Sequence, residues 1–175
     1  MKEFIEKWEG KVVDYDGYYW YQCTDFVRQY CLEMFWETYK PHWNAWTLYD
    51  QDWGDEYIKY PFNSAQFIPN RWDIVIFKWP TKYGHIGVIT DAEMMSLTVI
   101  DQNTWSGNWD WEWDNKIRIQ YYWYSDVIWF VRNLNYTSTD DVEYNQYTNI
   151  LDTLIKDGYE PIFNDYEWSD GETKT

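Results

Sequence analysis

The stretch DYDGYYWYQCTDFVRQYCLEMF, Asp14 to Phe35, sets a carboxylate-rich loop directly against a segment that begins at a cysteine. From Cys23 the apolar positions Phe26, Val27, Tyr30, Cys31, Met34 and Phe35 recur at i, i+3 and i+4, the stripe of an amphipathic helix. That helix must stop before Pro41. Upstream, Phe4, Ile5 and Trp8 mark one side of a short helix over 3–9. Downstream the pattern changes to β-branched and aromatic runs of strand length: WDIVIFKW (72–79), HIGVIT (85–90), SLTVID (96–101), KIRIQYY (116–122) and VIWFVR (127–132). DAEMM (91–95) reads as the hairpin connection between the second and third. Residues 41–71, punctuated by Asn44, Gly54, Asn63 and Pro69, read as loops with a short helix. Leading helices followed by an antiparallel sheet predict an α+β fold.

A chain of 175 residues fits one domain with a short appendage, large enough to bury a core without disulfides. The appendage is visible in the charge. The formal net charge is −16, and residues 134–175 hold ten acids against two lysines. In that region Asp140 and Glu143 form a capping-box pattern, and Tyr147, Ile150, Leu151, Leu154 and Ile155 form an apolar stripe. They predict one helix over about 140–157, followed by a loose acidic end. Such acidity excludes nucleic acid and anionic lipid as partners, because both require a basic patch. No apolar run is long enough for membrane insertion, and MKEFIEKWEG, charged throughout, reads as no signal peptide. The 15 Trp and 18 Tyr exceed what one core can hold, so part of them belongs to a binding surface.

The two cysteines, Cys23 and Cys31, lie about 12 Å apart on one helix, too far for a bridge, and are expected as free thiols. Cys31 falls in the apolar stripe and reads as core. Cys23 opens the helix among Gln22, Thr24 and Asp25, where unpaired amides favour a thiolate and can hold an oxyanion. Gln22 offers its side-chain amide for the same purpose. A thiolate nucleophile needs a base, and the chain has two histidines. His42 follows Pro41 in a polar loop. His85 opens a strand after Gly84, at the sheet's edge. If 85–90 and 96–103 pair as a hairpin, Asp101 and Asn103 come near His85. Alternation places both of their side chains on one face. Either can orient the imidazole.

The segments DYDGYYWYQCTDF, NAW (44–46), RWDIVIF (71–77), YGHIGVI (83–89), VIDQNTW (99–105) and VIWFVR (127–132) resemble, in order and spacing, the CHAP family. Its members are cysteine- and histidine-dependent amidohydrolases and peptidases with a papain-like fold. Many are phage lysins or bacterial wall hydrolases. The resemblance covers about residues 3–133 and implies a catalytic domain over 1–133 with residues 134–175 as an acidic extension. It implies Cys23 as nucleophile and His85 as base. The third motif often reads EQN in such lysins; here Asp101 replaces the glutamate. Asn103 is expected to contact the ring or brace the site, with Asp101 contributing charge.

Counted from Asp14 as position 1, Asp16, Tyr18, Trp20 and Asp25 stand at positions 3, 5, 7 and 12, the ligand places of a calcium loop. Tyr18 and Trp20 can offer only backbone carbonyls. Gly17 falls at position 4 instead of 6, so this is no EF-hand. The loop instead resembles the calcium loop beside the cysteine in some phage CHAP lysins, where the ion is structural or regulatory. A solvated acidic turn is the simpler alternative. Beyond the third motif, Trp105 and Trp109 in NTWSGNWDWEWDN (103–115) are candidates for contact with glycan or peptide stem, or for ordinary aromatic packing. The resemblance implies a hydrolase of bacterial peptidoglycan, cutting a stem or cross-bridge amide as an amidase or endopeptidase. Without a signal peptide it would be released through a phage holin pore or carried on a virion tail. The rivals are a virion structural or wall-binding module of the same fold, and an amidase acting on a small amide.

Overall fold

A computed structural model describes residues 2–37, 44–62, 69–78, 82–93, 96–105 and 113–135. Two α-helices come first, α1 (Lys2–Trp8) and α2 (Cys23–Phe35). A short 3-10 helix (Ala45–Tyr49) and β1 (Tyr57–Pro61) follow. Then come β2 (Ile74–Phe77), β3 (His85–Ala92), β4 (Ser96–Asp101), β5 (Thr104–Trp105), β6 (Trp113–Asp114), β7 (Arg118–Trp123) and β8 (Val127–Asn133). Six of the strands form one antiparallel sheet in the order β1-β8-β2-β3-β4-β7, and β5 pairs with β6 in a separate two-stranded ribbon. The molecule is α+β, with the leading helices packed on an antiparallel sheet, as the pattern predicts.

The apolar stripe of α2 becomes a buried face. Phe26, Val27, Tyr30 and Cys31 pack with Phe4 of α1 against Ile74, Ile76, Ile86, Val88 and Ile100 of the sheet. The alternate residues Val75, Phe77, Ile89, Leu97, Val99 and Phe130 form a second buried cluster on the opposite face. There Tyr60, Phe62, Tyr122 and Tyr124 lie partly buried, Phe62 stacking on Tyr124 at 5.6 Å. Burial on both faces is why IVIF reads as a continuous apolar run, not an alternating one. A partly buried ion pair locks β8 to the entry of β2: Arg132 donates through Nε and Nη2 to both carboxylate oxygens of Asp73, at 2.9 and 2.8 Å.

Helix α2 stops before Pro41, as expected, at Phe35, where Trp36 turns left-handed, φ 59, its N–H closing on Leu32 O. Two local differences from the sequence reading have physical causes. β1 falls inside the region read as loop. It is an edge strand that ends in proline and is mostly exposed, so its sequence YIKYP carries no alternation. β3 runs on to Ala92, into the segment read as the hairpin connection. The helix expected over about 140–157 and the acidic end lie outside the described residues. No helix among the described residues is long and apolar enough to cross a membrane.

Candidate active site

The first turn of α2 presents Cys23, the candidate nucleophile. Gln22 is the N-cap, in extended conformation, and Cys23 is the first helical residue. Asp25 reaches back and accepts the Gln22 backbone N–H at Oδ2, 2.9 Å, which fixes the angle at which the chain enters the helix. The Gln22 side chain donates through Nε2 to Tyr19 O at 2.5 Å. Cys23 is 9% exposed, whereas Cys31 is 0% exposed; both are free thiols. Burial pushes the Cys31 thiol up to about 12, against a hydrogen bond from Tyr57, so it stays protonated in the core.

β3 and β4 bring the other groups. Their register sets Gly87 opposite Asp101, so His85 lies diagonally across from the carboxylate. A Cβ on Gly87 would stand 2.5 Å from Val99 Cγ1 and 3.0 Å from Asp101 Cβ; only glycine leaves room for the carboxylate there. His85 Nε2 bonds Asp101 Oδ2 at 2.9 Å, both residues being buried. Cys23 also couples to the ring and favours its charged form. Burial by itself pulls the imidazole down. The charge and hydrogen bond of Asp101, then those of Cys23, more than reverse this and raise His85 to about 10. The imidazolium is therefore the resting form at neutral pH.

Asp101 Oδ2 also accepts the Tyr122 hydroxyl at 2.5 Å, and Tyr122 Oη meets Thr104 Oγ1 at 3.0 Å. Burial, then the Asp101 charge, raises Tyr122 above its ordinary value, so the phenol remains a donor. Its ring stacks on Phe77 at 4.4 Å. Tyr122 was hidden in the sequence because KIRIQYY offers two adjacent tyrosines, and only the strand register decides which one faces the site. Gln102, a member of the same DQN run, is wholly buried and bonds Val13 and Gln22.

The expectation that Asp101 and Asn103 share a face is corrected. β4 ends at Asp101, and Asn103 stands in a left-handed bend, φ 59, so the alternation does not reach it. The geometry puts Asp101, not Asn103, on the His85 ring. Trp105 lies in β5 across from Trp113. Trp109 and His42 lie outside the described residues.

The carboxylate loop turns back on itself beside Cys23. Gly17 N–H bonds Asp14 Oδ1 at 2.8 Å and Tyr18 N–H bonds Asp16 Oδ1 at 2.9 Å. Carboxylate oxygens of Asp14, Asp16 and Asp25 lie within 4.8 Å of one another. Arg28 is ion-paired with Asp16 and stands 3.8 Å from Asp25 Oδ1. Asp25 is raised to about 6, first by burial, which the Gln22 N–H opposes, and further by the charges of Asp16 and Asp14. Tyr19 and Trp20 are both left-handed, φ 60 and 62, and the Tyr18, Tyr19 and Trp20 side chains are exposed. Carboxylate and backbone carbonyl oxygens are the kind of donor a hard cation takes.

Known proteins share the family and the fold of this chain. The family model described as CHAP domain matches residues 13–103, just over half of the chain. Endolysin PlyTW of Staphylococcus phage Twort is 26% identical over 190 residues, covering 92% of this chain and 39% of that protein. Endolysin LysK of Staphylococcus phage K is 30% identical over 102 residues, covering 57% of this chain and 20% of that protein. The chain thus spans well under half the length of these relatives. Among solved structures, the endolysin LysIME-EF1 superposes with a TM-score of 0.62 at 24% identity, over 75% of this chain and 61% of that one. Ly7917 superposes with a TM-score of 0.51 at 13% identity, over 73% of this chain and 58% of that one. Both likenesses concern the fold.

Proposed function

The chain belongs to the CHAP domain family, and on that premise we propose that it is a peptidoglycan hydrolase of the phage-lysin kind. It opens an amide bond in the stem or cross-bridge peptide through an acyl-enzyme on Cys23. The observation that carries this reading is the buried His85–Asp101 bond, at 2.9 Å, with Cys23 coupled to the same ring from the start of α2. Cys23 attacks the amide carbonyl as the thiolate, forming the S–C bond. The N–H groups of the first helical turn and the Gln22 side chain take up the charge on the carbonyl oxygen. His85, held as imidazolium by Asp101, gives its proton to the leaving nitrogen as the C–N bond breaks. Neutral His85 then takes a proton from water, the hydroxide adds to the thioester, and the S–C bond breaks to restore the thiolate and the imidazolium. Asp101 keeps its charge throughout and fixes the ring.

Asp14, Asp16 and Asp25, with the Tyr18 and Trp20 carbonyls, would hold a calcium ion. Three carboxylates whose oxygens lie within 4.8 Å of one another fit a cation better than an isolated acidic turn. A bound ion supplies charge neutralisation and order to the loop. The chain's own part is to keep the start of α2 fixed, through the Asp25 bond to the Gln22 N–H. Calorimetry should show calcium binding that is lost in Asp14→Ala and Asp16→Ala; equal affinity in parent and variants removes the site.

Mass spectrometry of muropeptides released from purified walls tests the reaction. New amine and carboxyl ends in the peptide portion are expected. New reducing sugar ends in place of them would overturn the reading.

A further inference from the structure

We propose that Gln102 is a positioning residue that fixes the nucleophile relative to its base by closing the neck of the carboxylate loop. The inference rests on the hydrolase reading above. Gln102 is 0% exposed. Its side-chain oxygen accepts the Val13 N–H at 2.6 Å, and its Nε2 donates to Val13 O at 2.7 Å and to Gln22 O at 3.0 Å. Val13 and Gln22 are the two ends of the loop that carries Asp14 and Asp16. One amide therefore grips both ends.

Gln22 also precedes Cys23 and caps its helix. The Gln22 carbonyl accepts the Asp25 N–H at 3.1 Å as well, so the start of α2 is held from the helix side and from the sheet side. Gln102 is in turn the residue after Asp101. At the end of β4, Asp101 holds the His85 ring and the next residue holds the stem of the Cys23 helix. Two consecutive residues thus set the separation of sulfur and imidazole. No other side chain replaces this amide. Glutamate keeps the acceptor but sets an oxygen against two carbonyls, methionine lacks both functions, and asparagine is a methylene short. A displacement of about 1 Å between reacting groups costs about 100-fold in rate, which is the scale on which such a strut acts.

The test compares parent, Gln102→Glu and Gln102→Asn on purified walls, with kcat expressed per folded molecule from circular dichroism. The expected result is a fall in kcat of about 10- to 100-fold with KM within about twofold, because substrate contacts are untouched. Unchanged kcat per folded molecule in either variant overturns the proposal. Amide exchange on the parent protein is the second measurement and serves if the variants do not fold. The Val13 N–H should be protected like the amides of β3 and β4; exchange at the rate of an exposed loop overturns the strut. If the parent leaves walls intact, the hydrolase reading fails, and the strut is judged by amide exchange alone.

Discussion

Cys23 and Cys31 share a helix, an element and a chemistry, yet their surroundings diverge. Cys31 sits mid-stripe, 0% exposed, with its proton held firmly by burial. Cys23 sits at the capped end, beside backbone N–H groups and a charged imidazole. Two turns of helix separate a core thiol from the proposed nucleophile. The residue type supplies only the sulfur. On the proposed hydrolase reading, position at a helix start and a base delivered by a distant strand supply the reactivity.

Removing the charge behind His85 should erase much of that difference. Asp101→Asn keeps an acceptor for Nε2 but exchanges a charge-assisted bond for a neutral one, a loss of about 1–2 kcal/mol, so kcat/KM should fall about tenfold. The pH dependence sharpens the point. His85 is raised in the folded protein, so the stability it contributes is complete below its unfolded value near 6.5 and is lost as pH rises toward about 10. Activity should fail over the same alkaline range, since the proposed proton donor is the imidazolium. In Asp101→Asn both the alkaline limb of the rate profile and the alkaline loss of stability should move to lower pH. Limbs that coincide with the parent's would break the account of how Cys23 is served.

The smallest effect belongs to the core thiol. Cys31→Ala should leave kcat unchanged and cost about 1 kcal/mol, a drop of two to four degrees in Tm for a chain of this size. A loss of turnover in Cys31→Ala beyond its loss of folded protein would blur the distinction between the two thiols.

Much of this contrast is legible in the sequence. The 3.6-residue stripe places Cys31 in the core and Cys23 at its edge, and the strand-length runs place His85 at the start of β3. Local periodicity carries that information. What it does not carry is register and the point where a strand ends. Asn103 shares the parity of Asp101 in the sequence, but β4 stops at Asp101 and the bend turns Asn103 left-handed. Tyr122 and Gly87 matter only because β4 pairs with β7 and β3 at particular positions. Gln102 reads as one letter of a short motif until its bonds to Val13 and Gln22, distant in the chain, are seen. Edge strand β1 escapes because an exposed, proline-ended strand has no hydrophobic period to detect.

The decisive measurement is the rate at which suspensions of purified bacterial walls clear when treated with the Cys23→Ala and Cys31→Ala proteins, both shown to be folded. The account predicts no clearing above the no-enzyme control with Cys23→Ala and clearing at the parent's rate with Cys31→Ala. Clearing at the parent's rate by Cys23→Ala would contradict it.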